Sequence, residues 1–195
     1  MAARFLRENA FLVAAVALPV AVVGVFLLLT TIPNWTVSPP RYDLLVETTE
    51  YDAANSPISI ALAVRDETLQ ATVRVVKDGH LPRIRLWRFD HATLSAREVP
   101  LNVPAPADAG DHPQTVIVEA LRGRRIVTDA KAPDGYQLRT ADGSGPGLIG
   151  DIFGMRRYRQ PGAIVNRGRV VPIDIPTPSL YHAPAFVGWV VDGGG

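Results

Sequence analysis

The sequence predicts a mainly β protein: one N-terminal transmembrane helix followed by an antiparallel β domain, a sandwich or an open sheet, with a small propeller as the alternative. Three observations carry that prediction. No charged residue occurs between Asn9 and Pro40. Period-two alternation of apolar and polar side chains recurs from residue 57 onward. The 195 residues include 16 glycines and 17 prolines, which favour turns and short strands over long helices.

The first element is the apolar run at 10–32, as long as the ~20 residues a bilayer-spanning helix needs. In hydrocarbon every backbone amide must be paired internally, so such a run is expected to be helical, and Pro19 and Gly24 are tolerated there. Trp35 has the amphipathic ring expected at headgroup level. A cleaved signal peptide would have a shorter apolar core and a small-x-small exit. Here the exit reads Leu29-Thr30-Thr31-Ile32-Pro33. Arg4 and Arg7 precede the run, and the first charges after it, Arg41, Asp43, Glu47, Glu50 and Asp52, are mostly acidic. Positive-inside then gives a cytoplasmic N-terminus at 1–9, a transmembrane helix at 10–32, a Pro-rich connector at 33–40 and a periplasmic β domain at 41–195. The expected location is the bacterial inner membrane, single-pass. Arginine outnumbers lysine 18 to 2, which suits a GC-rich bacterial genome.

After the stiff Ser38-Pro39-Pro40 exit, residues 57–64 and 69–75 alternate on either side of Asp66-Glu67 and read as a hairpin. Asp78-Gly79 supplies the next turn. Residues 83–89 form a strand, reversed at Asp90-His91-Ala92-Thr93 into 94–101. Residues 102–113 are a loop by composition. Strands are expected at 115–121, 126–129 and 136–140, the last after the Pro133-Asp134-Gly135 turn. A final hairpin joins 163–166 to 169–175 through Arg167-Gly168, and 185–191 closes the sheet.

The hairpin Leu86-Trp87-Arg88-Phe89-Asp90-His91-Ala92-Thr93 resembles the outer hairpin of β-propeller blades. More broadly, the chain resembles a group of uncharacterised single-span bacterial membrane proteins with a β-rich exported domain. The resemblance rests on the apolar N-terminal run, a Pro-Pro-x-Tyr exit at 39–42, Pro-Asp-Gly-Tyr at 133–136, a glycine-rich loop before Phe153-Gly154, and a Phe-x-Gly-Trp-Val strand at 186–190. It implies the layout above and no activity.

Composition excludes several function classes. Without cysteine there is no disulfide framework, thiolate metal site or cysteine nucleophile. The 20 basic and 19 acidic residues include Arg4, Arg7 and Glu8 ahead of the apolar run, so the remainder is neutral. A nucleic-acid partner, which requires a basic surface, is not expected.

The motifs that remain are weak. Gly145 to Gly150 fits G-x-G-x-x-G but lacks the following helix that would face a pyrophosphate. His80, His91, His112 and His182 have no metal-ligand spacing. The acidic pairs Asp108/Asp111 and Asp134/Asp142 fall in turns that explain them. No catalytic, cofactor-binding or metal-binding residues are therefore expected.

Contact residues are a different matter. Ala14, Ala17, Ala21 and Gly24 supply small side chains for close helix packing, with Trp35 beyond them. Leu148, Ile149, Ile152 and Phe153 would form an apolar loop tip. Arg156, Arg157 and Arg159 follow, suited to oxyanions. The expected function is a non-catalytic accessory subunit of a larger integral membrane complex, with integral membrane subunits and the lipid bilayer as partners. The alternatives are a membrane-tethered periplasmic assembly or maturation factor, and an anchored hydrolase or solute-binding protein.

Overall fold

The centre of the β domain is a strand that has no alternation to announce it. The computed structural model describes residues 10–50, 57–76, 81–103, 112–140, 162–175 and 183–191. In chain order its elements are α1 (Ala10–Thr36), β1 (Asp43–Glu50), β2 (Ile58–Arg65), β3 (Thr68–Val75), β4 (Arg83–Asp90) and β5 (Ser95–Val99). There follow β6 (Gln114–Ile117), a 3-10 turn at Glu119–Leu121, β7 (Ile126–Val127), β8 (Gln137–Thr140), β9 (Gly162–Asn166), β10 (Arg169–Ile173) and β11 (Ala185–Val190). The chain divides into two compact units, residues 1–38 with 167–169, and residues 39–166 with 170–195.

The described strands form three antiparallel sheets, of orders β5-β4-β1-β11-β7, β10-β9-β8 and β2-β3-β6. In the first, β1 lies between β4 and β11, with Leu44 opposite Phe89 on one side and Trp189 on the other. This sheet is buried on both faces. One face carries Leu45, Leu86 and Val190, which join Leu69 and Ala71 of β3 in a shared apolar core. The other carries Leu44, Val46, Trp87, Phe89 and Trp189, each at most 4% exposed. A strand buried on both faces reads as a continuous apolar run instead of an alternating one, so Leu44-Leu45-Val46 gives no period-two signal.

The register of β1 against β11 slips between Leu45, opposite Gly188, and Val46, opposite Phe186, leaving Val187 as the bulged residue. Gly188 is required there by space: a Cβ would lie 2.7 Å from Ile126 Cγ2 and 2.9 Å from the Val127 carbonyl oxygen. Gly188→Ala is therefore expected to lower unfolding free energy by about 1–3 kcal/mol through overpacking. Gly162→Ala, whose added carbon would meet neighbours at 3.4 Å or more, should leave the denaturation midpoint nearly unchanged. Urea titration of both variants checks this.

Several expectations hold in position. The 58–75 hairpin turns on Asp66 and Glu67, both with positive φ (49° and 59°), the geometry of a two-residue hairpin turn. The strand expected at 83–89 runs one residue further, to Asp90, its reversal falls at 91–94 instead of 90–93, and the turns at 133–135 and 167–168 stand as read. The expected 115–121 strand is cut short, because the backbone turns after Val118 and swings Leu121 into the core at 2% exposure. Among the described residues the sheets have five, three and three strands and none is a four-stranded blade, so the propeller alternative is not supported.

The transmembrane expectation is corrected. The backbone of α1 is helical over Ala10–Thr36. Among the described residues no helix is long and apolar enough to cross a membrane. The transmembrane helix at 10–32, the single-pass inner-membrane location, and the assignment of 1–9 to the cytoplasm and 41–195 to the periplasm are therefore not supported.

Candidate functional site

On α1, the described residues other than Thr31 and Thr36 are apolar, and all but half-buried Gly24 are exposed. Val16, Leu18, Val20, Val22 and Val23 are 56–67% exposed. At 100° per residue these positions, together with Val25 and Leu28 at 56% and 59% exposure, run around the whole circumference. The helix shows no charge, and its polar hydroxyls turn inward: Thr31 Oγ1 donates to the Leu28 carbonyl at 2.9 Å and Thr36 Oγ1 to the Ile32 carbonyl at 3.1 Å. Ala14, Ala17 and Ala21 are exposed and Gly24 is half-buried, with nothing within 4 Å of where its Cβ would stand. Trp35 is 79% exposed. Five of the expected contact residues thus lie on one helix. Leu148, Ile149, Ile152, Phe153, Arg156, Arg157 and Arg159 lie outside the described residues, as do Gly145 to Gly150.

A second constellation was not legible in the sequence. Asp43, at the first position of β1, has its side chain 6% exposed. Its Oδ2 accepts from Arg88 Nε at 2.7 Å, and its Oδ1 accepts from the His91 backbone N–H at 2.9 Å. Oδ1 also stands 2.7 Å from His91 Nδ1. A carboxylate oxygen accepts, so the contact with the ring is one in which Nδ1–H donates to Oδ1. The three residues are 45 and 48 positions apart and meet because β1 pairs with β4 in a register that puts Leu44 opposite Phe89.

A carboxylate aimed at a histidine is two members of the arrangement that activates a hydroxyl nucleophile. The third member is a hydroxyl at Nε2, and among the described residues none is hydrogen-bonded there. The nearby hydroxyls of Thr93 and Ser95 bond each other at 2.8 Å. The cluster instead clasps the β4–β5 turn to β1. That turn has its own brace: Asp90 Oδ1 accepts from the N–H groups of Ala92 and Thr93, both at 2.9 Å. The Thr93 backbone bond, more than any other cause, holds the Asp90 carboxyl below the usual range. Its support of the turn is present at neutral pH and fades as pH falls through that lowered value. Burial has the opposite effect on half-buried Glu47, raising its carboxyl above the ordinary range.

A groove of about 410 Å³ runs beside β4 and β5, with Ile60, Leu86 and Leu101 on its apolar side and Arg83, Arg85 and Glu98 on its polar side. Arg85 is already paired, with Glu50 at 2.8 Å and Glu98 at 3.6 Å. Asp134, considered above as part of an acidic pair, accepts the Arg41 backbone N–H at 2.8 Å and braces its own turn. Among the described residues no group of three or more histidines and carboxylates is placed to hold a metal ion.

Comparison with known proteins finds no matching family model, no similar curated protein and no similar solved structure. The class defined by the fold and these surfaces is a three-sheet antiparallel β protein with an apolar helix.

Proposed function

We propose that the chain is a non-catalytic accessory subunit of a larger protein assembly, held there through α1. The exposed apolar circumference of α1 carries this reading. A surface helix buries one stripe and shows water the other, whereas a helix that is apolar all round is found inside a larger body. The partner this helix fits is a protein presenting an uncharged apolar surface, which the stripe of Ala14, Ala17, Ala21 and Gly24 lets approach closely. The satisfied Asp43 cluster and the paired Arg85 support a structural use for the buried charges of the β domain.

The test is isolation of the full chain from its native source under gentle conditions, followed by native mass spectrometry. A partner polypeptide at fixed stoichiometry is expected, and a photo-cross-linker at Ala17 or Ala21 should attach to it. Gly24→Leu, which meets no atom of its own chain at Cβ, should release the partner while leaving the stability of the β domain unchanged. Recovery of the chain alone, with α1 covered by nothing or only by lipid or detergent, would overturn the proposal.

A further inference from the structure

We propose that the groove beside β4 and β5 binds a small amphiphilic monocarboxylate, its carboxylate held by Arg83 and its alkyl chain laid against Ile60, Ile84 and Leu101. The groove exists because β5 leaves β4 early. Their ladder ends at Leu86 opposite Val99, while β4 runs three residues further, to Arg83. Proline has no N–H to continue a ladder, and Pro100 follows Val99 at once. Two residues on, Asn102 takes a positive φ of 44°, so the chain does not follow β4 as an extended strand. The space left is about 410 Å³, inside the range of about 300–1,000 Å³ in which proteins hold small molecules.

One wall of this space is apolar. Ile60, Ile84 and Leu101 are half-buried there. Ile60 and Leu101 also pack against the shared core, so the wall is fixed in place before any ligand arrives. Half-buried aliphatic side chains along one groove gain by being covered further. The other wall carries Arg83, Arg85 and Glu98.

Charge selects the occupant. In the β1–β4 register Glu50 faces Arg83, yet its carboxylate pairs with Arg85, Oε2 standing 2.8 Å from Nε. Glu98 also leans to Arg85, at 3.6 Å. Both acids are thus drawn to one arginine, and among the described residues exposed Arg83 has no acidic partner. Its planar guanidinium offers a fork of donors that matches a carboxylate bidentately. Glu98 sets a limit from the same wall, because it repels a doubly charged phosphate more than a singly charged carboxylate. An alkylammonium would meet two arginines against one glutamate. The occupant described by these features is a single negative charge on a short alkyl chain. The groove belongs to the β domain, and its occupancy does not depend on the partner proposed for α1.

Isothermal titration calorimetry of the full chain with acetate, butanoate, hexanoate and octanoate tests this. Affinity should rise roughly twofold per added methylene, since full burial of a methylene gives about fourfold and a groove covers only part of the chain. Octan-1-ol and octylammonium should bind several-fold more weakly than octanoate, and octyl phosphate no more tightly. Arg83→Met keeps an apolar stem and removes the charge. It should weaken octanoate roughly fivefold, the upper end for an exposed ion pair, and leave octan-1-ol unchanged, while Arg83→Lys should recover part of the loss. Leu101→Asp, with its fold checked by circular dichroism, should abolish binding of both. Gly24→Leu on α1 should bind octanoate as the parent does. The proposal is overturned if affinity does not rise with chain length, or if octylammonium or octyl phosphate binds more tightly than octanoate. It is equally overturned if Arg83→Met binds octanoate as the parent does, which would place the ligand on another surface.

Discussion

Trp189→Ala is expected to lower the unfolding free energy by about 3–5 kcal/mol, the range for deleting a large buried aromatic. Trp189 is fully buried in β11. It lies opposite Leu44 on one neighbouring strand and Val127 on the other, and its ring centroid is 5.9 Å from that of Phe186. The indole N–H donates to the Asp129 carbonyl at 3.1 Å, so the alanine variant also strands an acceptor. Against a typical domain stability of about 5–15 kcal/mol, this is a large fraction. Trp189→Phe restores most of the apolar volume but not the hydrogen bond, and should fall between the parent and the alanine variant. Urea titrations monitored by circular dichroism measure all three. A shift within the ~0.5 kcal/mol typical of surface sites would show that β11 does not pack as described.

Asp43→Ala ranks second, at about 2–3 kcal/mol. Breaking a fully buried ion pair costs about 3–5 kcal/mol, because the orphaned charge stays out of water. Here the remaining partners can partly rehydrate: the Arg88 and His91 side chains are 34% and 33% exposed. Asp43→Asn keeps the shape and one acceptor oxygen and should lose roughly half as much. A double-mutant cycle with Arg88→Met isolates the pair, because the methionine variant removes the guanidinium while keeping an apolar stem. If Asp43→Ala and Arg88→Met add with no coupling, the clasp does not hold the β4–β5 turn.

The parts of this molecule that were legible in sequence are those where one face is wet. Residues 58–75 alternate cleanly because their outer face meets solvent, and Asp66-Glu67 marks the turn between them. Leu44-Leu45-Val46 carries no such contrast, since both of its faces are covered, and the strand at the heart of the largest described sheet passed unread. The 115–121 segment misled in the other direction: Thr115 and Val116 are good strand formers, but burying Leu121 required a turn that local propensity does not encode. The small residues of α1 were readable because helical spacing is local. The Asp43–Arg88–His91 cluster was not, because it exists only once two strands 40 residues apart are in register, and a lone aspartate beside an apolar run gives no hint of it. The reading of the apolar run as membrane-crossing rested on its length in sequence, whereas among the described residues no helix is both long and apolar enough to cross a membrane.

The pairing of Asp43 with Val190 also bears on how the protein is made. Contacts between residues so far apart along the chain must close a long loop before they gain anything, which slows folding. The nascent polypeptide can form its 58–75 hairpin soon after leaving the ribosome, but β1 has no second neighbour until β11 emerges. During that interval the flank of Leu44, Leu45 and Val46 is unshielded, and this is the stretch of synthesis at which a chaperone would find most to hold.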